Sequence, residues 1–268
     1  LLMSFGERLS TALITEALKN RGIQAEYCDA RSLIKTNAHF GMAEVNYGLT
    51  NPLIRDYFAN TSALTCITGF VAATPEGVTT TLGRGGSDYT ASIVGAALQA
   101  EVIEIWTDVD GMMTADPRKV TNAFTIPSIS YAEAMELSHF GAKVIYPPSL
   151  QPAFSQNIPL KILNTFNRAF EGTWVDRLAK PKEYAITGIS SIDDIALVDV
   201  QGSGMIGVAG VSARLFTALS EHSISVILIT QASSEHSICF AIDPRTADRV
   251  QAILERAFES EIAIGYID

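Results

Sequence analysis

The sequence predicts an α/β protein in two parts: a largely parallel sheet sandwiched by helices over residues 1–180, then a β-α-β-β-α-β module over residues 184–268. Three observations carry this. The chain has 268 residues, about 1.8 times a domain of roughly 150. Stretches of helical and strand periodicity alternate along its first two thirds. At Arg177–Tyr184 they give way to a polar, proline-bearing stretch with neither period, and the domain boundary is placed there.

Taken in order, Leu1-Leu2-Met3 reads as the end of a buried strand, and the chain, lacking an initiator Met, reads as a fragment without the strand before it. Glu7–Arg21 places Leu9, Leu13, Ile14, Ala17 and Leu18 at helical spacing and stops at Gly22. Strands are expected at Gln24–Cys28, Leu64–Gly69, Val78–Leu82, Val102–Thr107 and Leu160–Asn164, with helices at Asp88–Ala100 and Tyr131–Phe140. Such alternation builds a parallel sheet with helices on both faces. In the second part the expected order is strand Ile195–Val200, helix Val208–Glu221, strands Ser225–Thr230 and Ser237–Ile242, helix Thr246–Glu259 and strand Ile262–Ile267. That is the split-βαβ, ferredoxin-like order.

Composition narrows the function. With 47% hydrophobic and 18% charged residues the chain falls outside the disordered class. No apolar run approaches the ~18 residues of a membrane span, and no signal peptide precedes the first helix, so a cytoplasmic protein without membrane partners is expected. The net charge is −10, with 14 basic and 17 acidic residues in 1–180 and 5 and 12 in 181–268. Nucleic acid is not an expected partner, because a phosphate backbone demands clustered Lys and Arg. Cys28, Cys66 and Cys239 are widely spaced, form no CxxC, and read as buried, reduced thiols. His39, His139, His222 and His236 have no partner at metal-ligand spacing, and no metal site is expected.

Four segments carry chemistry. Thr79–Asp88 is a strand entering a glycine-rich turn and then a helix. Gly83, Gly85 and Gly86 let backbone N–H groups approach an anion at the positive end of the helix dipole, and Arg84 adds a bidentate fork. A plain turn capped by Asp88 would use the same glycines but has no need of the arginine. Trp106–Gly111 with Thr114–Arg118 gathers carboxylates, hydroxyls and an arginine at a strand's carboxyl end, where open α/β sheets bind ligands; ordinary Asp-Gly and Asp-Pro turns share the pattern. Trp106 itself reads as core packing. Lys143, in Phe140-Gly141-Ala142-Lys143-Val144, and Glu7, in Ser4-Phe5-Gly6-Glu7-Arg8, are weak signals taken separately. In the tail, Gln201–Met205 and Ile229–Glu235 are loops able to hold a small ligand or simply to turn.

Together these segments resemble the aspartate kinases of the amino-acid kinase superfamily, and the tail resembles the ACT module that follows the kinase there. Leu228–Ile238 and Gly202-Ser203-Gly204-Met205 look closest to the bifunctional aspartate kinase/homoserine dehydrogenases. The resemblance implies transfer of the ATP γ-phosphoryl group to the β-carboxylate of L-aspartate, with Mg²⁺ on the phosphates. It implies Arg84, Lys143 and Asp108 as catalytic residues, and Glu7, Arg84, Gly85, Gly86 and Ser87 around aspartate. Thr107, Asp108, Met113, Asp116, Arg118 and Lys143 would hold the nucleotide. Gln231, Gly202, Gly204 and Met205 would lie at an allosteric amino-acid site, for threonine first and lysine second, in a homo-oligomer paired through ACT modules. NADP enters only where a dehydrogenase domain follows. Absent from these residues are the family's Lys-Phe-Gly-Gly-Thr/Ser segment and a second ACT module, so the chain as written is expected to be catalytically crippled. Met113 replaces a common tyrosine and Tyr146 a common histidine. A regulatory fragment without activity, or a kinase of another carboxylate, are the alternatives.

Overall fold

The computed structural model describes residues 1–139, 145–178, 185–231 and 236–268. It forms two compact units, Leu1–Ser191 and Ile192–Asp268. The division falls later than the expected 180–184 because residues 187–191 attach to the first unit: the Thr187 hydroxyl donates to Glu133 and the Ile189 N–H to Thr114 O.

The first unit opens with α1 (Ser4–Lys19), β1 (Ala25–Cys28), α2 (Tyr47–Ala59) and β2 (Leu64–Ile67). Leu1–Met3 is not a strand. The Ser4 amide and hydroxyl both donate to Leu1 O, at 3.0 and 2.6 Å, and wind these exposed residues into a turn that leads into α1. No periodicity announces α2. It starts at Asn46, whose side chain accepts from the Leu49 N–H, and contains Pro52, which removes one donor from the helix ladder. β1 and β2 pair in parallel, from Ala25↔Leu64 to Cys28↔Ile67. Ile54 of α2 joins Cys28, Ala30, Leu33 and Val71 in one core, while α1 packs against the same two strands without contributing to it.

The chain continues through the antiparallel hairpin β3 (Val71–Ala73) and β4 (Thr79–Thr81), α3 (Gly86–Leu98), β5 (Ile103–Thr107), β6 (Ser128–Ser130), α4 (Tyr131–His139), α5 (Pro147–Gln156), β7 (Leu160–Asn164) and β8 (Thr173–Asp176). α5 also escaped the sequence reading. Pro147 and Pro148 occupy its first turn, where a missing N–H has no partner to lose. The strands order as β5-β7-β8-β6, with β5∥β7 and β6∥β8 parallel and β7/β8 antiparallel. Ile103, Ile105, Leu160, Ile162 and Val175 point into a core with Leu150 of α5 and Ala134 of α4. The alternate residues, Glu104, Trp106 and Trp174, face outward. Trp106 is therefore not core packing: it is 45% exposed, and its indole donates to Glu104 Oε2. The cysteines also depart from expectation, since all three are free but only Cys28 is buried.

In the second unit β9 (Ala196–Gln201), α6 (Val211–Glu221), β10 (Leu228–Gln231), β11 (Ser237–Ile242), α7 (Ala247–Ala257) and α8 (Glu259–Ala263) follow in order. The antiparallel sheet runs β10-β11-β9, and Val200, Leu215, Phe240 and Val250 centre its core. α6 starts at Val211 rather than Val208 because Gly207 and Gly210 adopt φ of +68° and +92°. The expected strand at 262–267 is replaced by α8 and a turn. Only Asp268 reaches the free edge of β9, where it and Gln201 exchange both N–H···O bonds as an antiparallel pair does.

Candidate functional site

Two edges of the first unit carry the residues singled out by the sequence. At the first, β4 runs through Leu82 into the glycine turn and α3. Gly85 has φ +65° and caps α3, its carbonyl accepting from the Tyr89 N–H at 2.9 Å. A Cβ there would stand 2.5 Å from Tyr146 Cβ, so only glycine fits on both counts. Ser87 sits against Gly69, just past β2: a Cβ at Gly69 would meet the Ser87 hydroxyl at 2.8 Å. Phe70 beside it takes φ +67°, unusual for a side chain. Its N–H donates to Gly86 O and Thr90 Oγ1, and its carbonyl accepts from the Leu82 N–H at 2.9 Å. Strain of this kind persists only where neighbours over-determine it.

Arg84 is exposed and has no hydrogen-bond or ion-pair partner among the described residues. Burial pushes the carboxyl of Asp88, in the first turn of α3, up from its usual value. Glu7 lies in the first turns of α1. Its neighbour Arg8 pairs with Asp29 at 3.3 Å, immediately past β1, and Asp29 also holds Arg31 at 2.6 Å. Burial pushes the Asp29 carboxyl up, but bonds to Arg31 and the charge of Arg8 outweigh it, and the group ends below its usual value. Because β1 and β2 are parallel neighbours, Asp29, which Arg8 reaches, and Gly69, which Ser87 meets, belong to one carboxyl edge.

At the second edge, β5 ends in Thr107, whose hydroxyl donates to Asp108 at 3.2 Å. Asp110 anchors the turn by accepting from the side chains of Asn164 and Asn167 at 2.8 and 3.0 Å. Gly111 has φ +119°, and a Cβ on it would stand 2.5 Å from Thr173 Oγ1. The chain then pairs with residues 124–126: Ile126 N–H to Met112 O, Thr114 N–H to Phe124 O. Arg118 closes back on Asp116 through its backbone N–H, Nε and Nη2, which pulls the Asp116 carboxyl down to about 2. Thr107, Asp108, Met113, Asp116 and Arg118 thus line one cavity of about 390 Å³, a common size for a small-molecule site. Its remaining walls include Leu137 of α4 and residues 189–191. Sequence reasoning missed these, and no motif at 189–191 could have signalled them.

Lys143 lies outside the described residues, as do 232–235 of the tail loop. In the second unit, the Gly202 N–H donates to His236 O and the Gly204 N–H to Tyr266 O, while Met205 is buried in the core. A Cβ at Gly202 would meet Tyr266 O at 2.0 Å. Gln231 is exposed at the end of β10, in register with Ile238. Among the described residues no group of three or more His, Cys, Asp or Glu is placed to hold a metal. No helix there is long and apolar enough to cross a membrane.

A strand-turn-helix glycine bend and an acid-and-arginine cavity at strand ends make an α/β unit shaped for a small molecule, and the comparisons say which family it belongs to. Residues 1–164 match the amino acid kinase family and residues 198–258 an ACT domain; the chain belongs to the amino acid kinase family. It is 41% identical over 260 residues to the bifunctional aspartokinase/homoserine dehydrogenase of Haemophilus influenzae, covering 96% of this chain and 32% of that protein. It is 37% identical to the lysine-sensitive aspartokinase 3 of Escherichia coli, over 90% of this chain and 54% of that one. The crystal structure of E. coli aspartokinase III with aspartate and ADP superposes with a TM-score of 0.78 at 35% identity, covering 96% of this chain and 59% of the other. The chain spans about a third of the length of the bifunctional relatives.

Proposed function

We propose that this chain is the kinase and ACT portion of an ATP-dependent aspartate kinase, forming 4-phospho-L-aspartate in a route toward lysine, threonine and methionine. One observation carries the reading: five residues assigned to the nucleotide from sequence line a single cavity, while Arg84, in the glycine turn that would take aspartate, has no partner among the described residues. The likeness to a structure determined with aspartate and ADP supports it.

The β-carboxylate of aspartate, with a pKa near ~3.9, is ionised at neutral pH and needs no general base. One of its oxygens attacks the γ-phosphorus in line, the bond from that phosphorus to the ADP oxygen breaks, and an acyl phosphate and ADP leave. The barrier is repulsion between two anions, so positioning and positive charge do the catalysis. In this scheme Arg84 holds the α-carboxylate and Glu7 the α-ammonium, a two-sign grip that selects an amino acid. Ser87 and the Gly85 and Gly86 amides line the same place. Lys143, three residues before the Tyr146 that packs on Gly85, serves the phosphates. Asp108 is exposed and accepts from the Thr107 hydroxyl, which fits a cation held by one carboxylate and phosphate oxygens. Mg²⁺ there would neutralise phosphate charge.

For the second unit the proposal is an amino-acid effector, threonine first and lysine second, near Gln231. The N–H groups of Gly202, Gly204 and Met205 are engaged internally, whereas the exposed Gln231 side chain has no partner among the described residues. The edge strand β10 is exposed along its whole length, which supports pairing with a second copy through ACT modules. A cytoplasmic location goes with this reading. The test is an aspartate-dependent hydroxamate assay on the full-length protein with ATP and Mg²⁺. Product that requires aspartate is expected; none, or equal rates with other dicarboxylates, would overturn the assignment. Threonine and lysine titrated into the same assay read out the effector.

A further inference from the structure

Residues 187–191 have no helical or strand character, yet they are tied down at four places along the cavity wall. The Thr187 hydroxyl donates to Glu133 Oε1 at 2.5 Å, the Ile189 N–H to Thr114 O at 2.7 Å, and Lys119 Nζ to the Ser191 hydroxyl at 2.9 Å. Gly188 is pressed so close that a Cβ would stand 3.1 Å from Thr114 O and 3.2 Å from Leu137. The partners themselves are cavity structure. Thr114 lies between Met113 and Ala115, and Leu137 follows Glu133 by one helical turn on α4. What the strap adds is Ile189, an aliphatic side chain 68% exposed at the cavity mouth. It stands with Met113, Leu137 and Pro117 as the apolar part of a lining whose polar part is Thr107, Asp108, Asp116 and Arg118. A ligand with one flat apolar end and one polar end that carries a cation to the carboxylates matches that division, and a nucleoside polyphosphate with its divalent cation has both.

We propose that the strap 187–191 is a working wall of the nucleotide site, with Ile189 closing over the base, so that nucleotide binding and strap docking stabilise each other. This rests on the nucleotide reading above. By reciprocity, anything that lifts the strap weakens nucleotide binding by the factor by which nucleotide holds the strap down. Ser191 is followed by Ile192, the first residue of the second unit, so the strap is also the covalent lead into that unit.

The test uses the full-length protein with ADP as probe. In Ile189→Ser the dissociation constant for ADP should rise about tenfold, as expected for losing the cover of an aliphatic side chain. The KM for aspartate should stay within a factor of about two, and Ile189→Val should restore most of the affinity. In the unmutated protein, ADP should slow hydrogen exchange at the Ile189 amide, and Thr187→Val should reduce that protection while leaving the Ser130 cap of α4 in place. Unchanged ADP affinity in Ile189→Ser, or no ADP-dependent protection across 187–191, would overturn the proposal with the nucleotide reading intact. Failure of ADP to bind the unmutated protein would overturn both.

Discussion

At the glycine turn the cation Arg84 stands without a partner among the described residues, and the acid beside it, Asp88, is pushed toward its neutral form. At the end of β5 the arrangement is reversed: Asp116 is held fully ionised, and its cation, Arg118, is already folded onto it. The second fixes its charges against each other and offers a shaped cavity. Under the proposed function the first edge would recognise an incoming carboxylate by charge and the second its ligand by fit, and each should fail in its own way when disturbed.

The largest expected effect is at the charged edge. Arg84→Ala in the full-length enzyme should lower turnover by about 10²- to 10³-fold, through lost positioning of aspartate; near-normal kcat would remove Arg84 from the site. Next comes Gly111→Ala at the shaped edge, where the new Cβ must enter a 2.5 Å gap to Thr173 Oγ1 at φ +119°. It should cost about 2–3 kcal/mol in stability and raise the KM for ATP more than that for aspartate; an equal rise in both would blur the two edges into one. Glu7→Gln should raise the aspartate KM about tenfold with little change for ATP, and an unchanged aspartate KM would count against the ammonium contact.

The smallest effect is in the pH dependence, and its sign differs between the edges. The Asp116 carboxyl is depressed to about 2, so its contribution to stability is complete above the unfolded value of about 3.9 and is lost as pH falls through about 2. Asp88 is raised by burial. Its neutral form suits the fold, so its contribution is complete below the unfolded value and is lost as pH rises through the higher folded one. Denaturation midpoints between pH 3 and 7 should therefore show Asp116→Asn losing stability at the neutral end, and Asp88→Asn losing none there or gaining. The same sign for both would show that burial and pairing do not distinguish these acids.

Much of the charged edge was legible from sequence, because a strand, a glycine bend and a helix are consecutive in the chain and announce themselves by local rules. Thr107–Arg118 was legible for the same reason. The strap was not: Thr187 meets Glu133 across 54 positions, and Ser191 meets Lys119 across 72. No local period encodes such contacts. α2 and α5 were hidden by Pro52 and by Pro147, Pro148 and Pro152, residues that argue against helix unless their positions within it are known. Trp106 was misplaced because a large aromatic favours the interior, whereas the alternation of β5 gives the inward direction to Ile103 and Ile105. The strand expected at 262–267 failed at Gly265, whose φ of +70° turns the chain after α8.

The Glu133 carboxylate serves at least two tasks. Oε2 accepts from the Ser130 N–H and hydroxyl at 2.9 and 2.7 Å, the reciprocal cap that starts α4, while Oε1 accepts from Thr187. A side chain so employed has little freedom to drift in evolution. Aspartate is one methylene too short to serve both partners, and glutamine presents only one acceptor. A library saturating this position and selected for growth should therefore return glutamate almost alone, while its exposed neighbour on the same helix, Glu136, accepts wide replacement.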